Sequence, residues 1–160
     1  MKIFSAFVLL LFLFGSCKKD KPYVPFVIPC QLTQDIPLSQ TYIKGTWEWV
    51  EEHRIERGQN GERYLTPKTE GYTRRMIFRD SIMQFLKNNN VEGEFKYKVS
   101  FTGDYTGTNY PEDSLPALIF YKLPDGGEYS HIPIKICDKY LVLQNQYVSS
   151  IIGEEIWKKL

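Results

Sequence analysis

The sequence predicts an all-β domain of about eight antiparallel strands, built as a sandwich or a barrel. Three observations predict it. From Gly45 onward apolar and polar side chains alternate with a period of two. Turn-forming residues recur between the alternating runs, and no helical period competes with them. Aromatic residues make up 15% of the chain, mostly Tyr and Phe, which suits pleated, half-buried surfaces. Short strands at regular spacing are the pattern of sandwiches and barrels.

The runs follow in order. In 46–56, Trp47, Trp49 and Ile55 share one face, against Glu48, Glu52, Arg54 and Glu56 on the other. An unbroken register places Glu51 and His53 on the same inward face as the two tryptophans. In 72–79, Tyr72, Met76 and Phe78 oppose Thr73, Arg75 and Arg79, with Arg74 inward between Tyr72 and Met76. The clearest run is 91–102, where Val91, Phe95, Tyr97, Val99 and Phe101 oppose Glu92, Glu94, Lys96, Lys98, Ser100 and Thr102. Such alternation marks strands with one buried and one wet face. Further strands are expected at 81–87, 117–123, 129–137, 139–147 and 154–160. Asn88-Asn89-Asn90 and Asp125-Gly126-Gly127 supply residues that tolerate the positive φ of tight hairpins. The one long connection, 103–116, contains Gly, Asn, Pro and Asp. Ahead of the strands, 17–44 carries Pro22, Pro25, Pro29 and Pro37 and reads as a stiff, extended tether. Its 24–28 stretch is too apolar for a free linker.

The chain opens with Met1-Lys2, an apolar run over 3–14, then Gly15-Ser16-Cys17. One basic residue, a short hydrophobic stretch and small residues before a cut describe a secretory signal peptide over 1–16. The run falls short of the roughly 20 apolar residues that cross a bilayer. Phe14-Gly15-Ser16-Cys17 resembles the lipobox of bacterial lipoproteins, although Leu is more usual at the first position and here stands one place earlier, at Leu13. The resemblance implies a diacylglycerol thioether on the Cys17 sulfur and a further acyl chain, such as palmitate, on its amine. Two or more chains hold a protein stably to a bilayer. Lys18, rather than Asp, follows the cysteine. By the Gram-negative sorting rule this implies a lipid-anchored protein of the cell envelope, at the outer membrane.

Composition excludes several classes. Removing 1–16 takes one lysine from the 20 basic residues, which leaves them level with the 19 acidic ones. No electrostatic footprint for nucleic acid exists. Beyond Cys17 remain Cys30 and Cys137, either two free thiols or a disulfide, which an oxidising compartment permits. A bridge would close a loop of about 107 residues and stabilise the fold by about 4–5 kcal/mol in the chain-entropy model. Their spacing fits no metal motif. Asp104, Glu112 and Asp113 are too irregular for a calcium loop. No nucleophile elbow or phosphate-binding loop appears. The expectation is a monomer without enzymatic activity, metal or cofactor.

Gly45-Thr46-Trp47 at the head of the first strand resembles the Gly-x-Trp of the lipocalin and fatty-acid-binding protein superfamily. With the lipobox, the short tether and Gly71-Tyr72-Thr73-Arg74, it is similar to the lipocalin-like domain of small Gram-negative lipoproteins, here over 45–160. The resemblance implies an up-and-down eight-stranded barrel, with Trp47 closing one end. One departure is that the last strand offers Lys158 and Lys159, not the Arg that packs over that Trp in typical lipocalins. Within such a barrel, Trp49, Glu51, His53, Arg74, Phe78, Phe95 and Tyr97 form the candidate ligand site, with Arg74 suited to a carboxylate head. Two functions follow: binding of a small apolar or amphipathic ligand, or a packed barrel that docks a protein or glycan through 103–116. A barrel of this size has room for either.

Overall fold

The computed structural model of the 160-residue chain describes residues 23–56, 61–101, 115–124, 126–148 and 151–160. In chain order these form α1 (Ile36–Tyr42), β1 (Gly45–Glu56), β2 (Glu62–Leu65), α2 (Pro67–Glu70), β3 (Arg74–Arg79), β4 (Ile82–Lys87), β5 (Asn90–Phe101), β6 (Pro116–Lys122), β7 (Glu128–Ile136), β8 (Tyr140–Val148) and β9 (Ile151–Lys159). Every strand pairs antiparallel with its neighbours, and β1 also pairs β9, so the sheet closes on itself. β3 borders β1 at Gly45–Glu48 and β2 borders the same edge at Glu52–Ile55. β2 and β3 are thus two halves of one barrel strand, and the closed barrel has eight.

The interruption is written locally. Thr66 caps α2 and exchanges hydrogen bonds with Thr69, Pro67 occupies its first turn, and Gly71 ends it at φ 72°. β2, just before that turn, has only four residues and no apolar alternation, and the sequence pattern does not announce it.

One feature of β1 redirects the site. Pairing with β9 steps from Trp49↔Trp157 to Glu51↔Ile156, so Val50 is an extra residue, a β-bulge. Before it, Trp47 and Trp49 point inward. After it the faces exchange, and Glu52 and Arg54 point inward instead. The expected inward placement of Glu51 and His53 is therefore corrected: both lie on the outer wall.

The stretch 23–44 is not a free tether. Thr33 bridges Ile136, and Cys30 is bonded to Cys137 with Cα atoms 6.6 Å apart. Asp35 then caps α1 by accepting from the Leu38 N–H at 2.8 Å, with Pro37 in the first turn. The helix brings Ile43 into the core, where its carbonyl accepts from Trp47 Nε1 at 2.7 Å. Upstream, the chain lies against the barrel wall as a strap. The Tyr23 hydroxyl and the Phe26 N–H both donate to Glu51, and Phe26 packs on Tyr140. Residues 1–16, Cys17 and most of 103–116 lie outside the described residues.

The α1 end of the barrel is filled. Trp47, Phe78, Tyr97, Val99, Leu118, Ile136 and Leu141 pack there with Ile43. Lys159, on the last strand, lies over the Trp47 ring at 5.3 Å and donates to the Tyr42 carbonyl at 2.9 Å. It takes the stacking place that the sequence leaves without an Arg. Gly45 makes room for it: a Cβ there would stand 2.8 Å from Lys159 Cε, and its φ of +124° suits glycine alone.

Candidate functional site

The half of the barrel away from α1 is not filled. A cavity of about 360 Å³ occupies it, lined by Arg74, Met76, Met83, Phe85, Phe95, Phe120, Ser130, Ile132, Leu143, Glu155 and Trp157. Its volume lies at the lower end of small-molecule sites, roughly 300–1,000 Å³. Two wider clefts, about 580 and 520 Å³, flank α1 outside the barrel and are lined largely by polar residues and the disulfide.

The alternation of each strand places these side chains. Met76 on β3, Met83 and Phe85 on β4, Phe95 on β5, Phe120 on β6, Ile132 on β7 and Leu143 on β8 all point inward one or two steps from the far rim. Gly93 lies directly under the Phe95 ring, where a Cβ would meet Phe95 Cε2 at 2.8 Å. Its missing side chain lets that ring lie back against the wall rather than across the cavity.

One polar cluster stands among the apolar ones. The Arg74 guanidinium donates to Glu155 at 2.9 Å and to Glu52 at 3.1 Å, and stacks 3.8 Å above the Trp49 ring. Trp157 Nε1 donates to the second Glu155 oxygen at 3.2 Å, and Arg54 bonds the second Glu52 oxygen. Glu52 is 1% exposed. Two cations and two carboxylates thus cancel within the wall, as burial of charge requires. Arg74 Nε and Trp49 Nε1 are buried donors with no hydrogen-bond partner among the described residues.

Of the sequence-derived site, Arg74 and Phe95 line the cavity. Trp49 stands one layer back, beneath Arg74 and stacked on Tyr72. Phe78 and Tyr97 are packed edge to face at the filled end. Glu51 and His53 are turned out by the bulge: Glu51 holds the strap, and His53 stacks on Tyr64 with Nε2 3.4 Å from Glu62. Arg74 is also not free to receive a carboxylate, because Glu52 and Glu155 already occupy it. Sequence reasoning missed the rest of the lining, from Met76 to Trp157, and the two carboxylates Glu52 and Glu155. Glu155 was accessible, since it lies two positions from Trp157 on one face of β9. Glu52 was hidden by the bulge.

Comparison with protein-family models, with curated proteins and with solved structures gave no match. The barrel and its cavity therefore stand on their own geometry.

Proposed function

We propose that this protein is an acyl-anchored lipoprotein of the cell envelope whose barrel binds a small, neutral, apolar or amphipathic ligand. The observation that carries the ligand is the uneven filling of the barrel. One half is packed with aromatic and branched side chains, while the other keeps a cavity of about 360 Å³ under an apolar lining. Larger apolar side chains there would bury more surface, so stability alone favours filling the space. The neutral character follows from the charge count within the wall. A carboxylate ligand would bring a further negative charge beside Glu52 and Glu155, which already occupy the Arg74 guanidinium. A neutral polar group such as a carbonyl or hydroxyl adds no charge beside this cluster.

The anchor is argued from Cys17 and the small residues before it. Organic extraction of protein purified from envelope membranes, followed by mass spectrometry, tests the ligand. A neutral lipid in near-stoichiometric amount is expected. Recovery of the folded protein with no such molecule, and no uptake of one when offered, leaves the barrel as a docking module for a protein or glycan. The mass of the N-terminal peptide tests the anchor independently.

A further inference from the structure

The strap fixes where the N-terminal segment leaves the barrel: on the outer wall just past the middle of β1, on the side of the cavity end. Cys30 is bonded to Cys137, at the end of β7 near α1. From there the strap runs back along the wall to Phe26 beside Tyr140, and then to Tyr23. Tyr23 stacks on Tyr64, which pairs with His53 in the outer half of β1. Glu51, which holds Tyr23 and Phe26 on the outside, is the chain neighbour of Glu52, which holds Arg74 on the inside. The strap's last clamp and the cavity's charge cluster are opposite faces of the same short stretch of wall.

We propose that the open end of the barrel faces the lipid bilayer, so that the ligand enters from the membrane in which the protein is anchored. The proposal rests on the acyl anchor at Cys17 advanced above. Cys17 stands six positions before Tyr23, a reach of at most about 22 Å when fully extended. Turning the α1 end to the membrane would require the chain to double back from Glu51 to Gly45. That is about 15 Å along the axis of a barrel whose strands tilt about 40°. It would then have to pass a helix about 10 Å thick. The requirement, about 25 Å, exceeds the reach. With the cavity end down, no doubling back is needed.

The test uses the full acylated chain in vesicles of phosphatidylethanolamine and phosphatidylglycerol containing a small fraction of lipid with a nitroxide headgroup. A fluorophore is attached through Asn90→Cys at the rim of the cavity end, or through Lys44→Cys beside α1; both positions are exposed. The disulfide keeps Cys30 and Cys137 from reacting. Severalfold stronger quenching at position 90 than at position 44 is the expected result. Equal or reversed quenching in protein whose acyl mass on Cys17 is verified overturns the orientation while leaving the anchor intact. Absence of the acyl mass overturns both.

Discussion

Burial of Arg74, Glu52 and Glu155 in a barrel wall is tolerated only because each charge has a partner at hydrogen-bond distance. Removing one partner strands the others. Arg74→Met should therefore destabilise the protein by about 3–5 kcal/mol, the range for breaking a buried ion pair. Adding Glu52→Gln and Glu155→Gln to that variant should recover a large part of the loss, since neutral amides need no counter-charge. Denaturant unfolding of the single and triple variants checks this; equal midpoints for the two would show that Arg74 acts only through packing. Gly45 carries a different burden. An alanine there meets both a positive φ and the Lys159 side chain, so Gly45→Ala should cost about 1–3 kcal/mol by the same measurement. Burial lowers the Lys159 ammonium below the ordinary lysine range, with the charge of Asp138 opposing.

Among the elements, the strap is the one that pH should release. Burial first, and then the hydrogen bond and charge of Glu51, hold the Tyr23 phenol well above the usual tyrosine range. Burial, with the charge of Asp80, raises Tyr97 in the same direction. A group whose folded pKa is raised stabilises fully below its unfolded value, about 10 for tyrosine, and loses that contribution as pH rises above it. Stability should therefore fall above about pH 10, and Tyr23→Phe should make that fall shallower. An unchanged alkaline slope in Tyr23→Phe would remove the strap's phenol from the account. The strands themselves were legible, because the eight runs and the turns between them point to an antiparallel sandwich or barrel; closure was implied only by the resemblance at Gly45-Thr46-Trp47. The bulge at Val50 was not. Past it, Glu51-Glu52-His53-Arg54 is polar on both faces, so hydrophobicity cannot say which face turns inward. Only Arg74 and Glu155, distant in sequence, decide it. α1 was partly legible in Asp35 and Pro37, an N-cap and a first-turn proline, but the neighbouring prolines gave the stretch an extended reading.

At the scale of the whole molecule, the fold has two unequal halves that share one wall. The α1 end is closed by a helix, a disulfide and closely packed aromatic rings, Phe78 edge to face with Tyr97. The opposite half retains space, and the proposed ligand binding depends on that space. Titration of the purified barrel with a neutral, environment-sensitive lipid probe tests this most directly, with Ile132→Trp as the control. Ile132 lines the cavity, and a tryptophan there should fill it without the 1–3 kcal/mol penalty, roughly, of overpacking a dense core. The account predicts saturable binding of about one probe per barrel, lost by tenfold or more in Ile132→Trp at unchanged unfolding midpoint. Probe binding that is absent, or that survives Ile132→Trp undiminished, would contradict it.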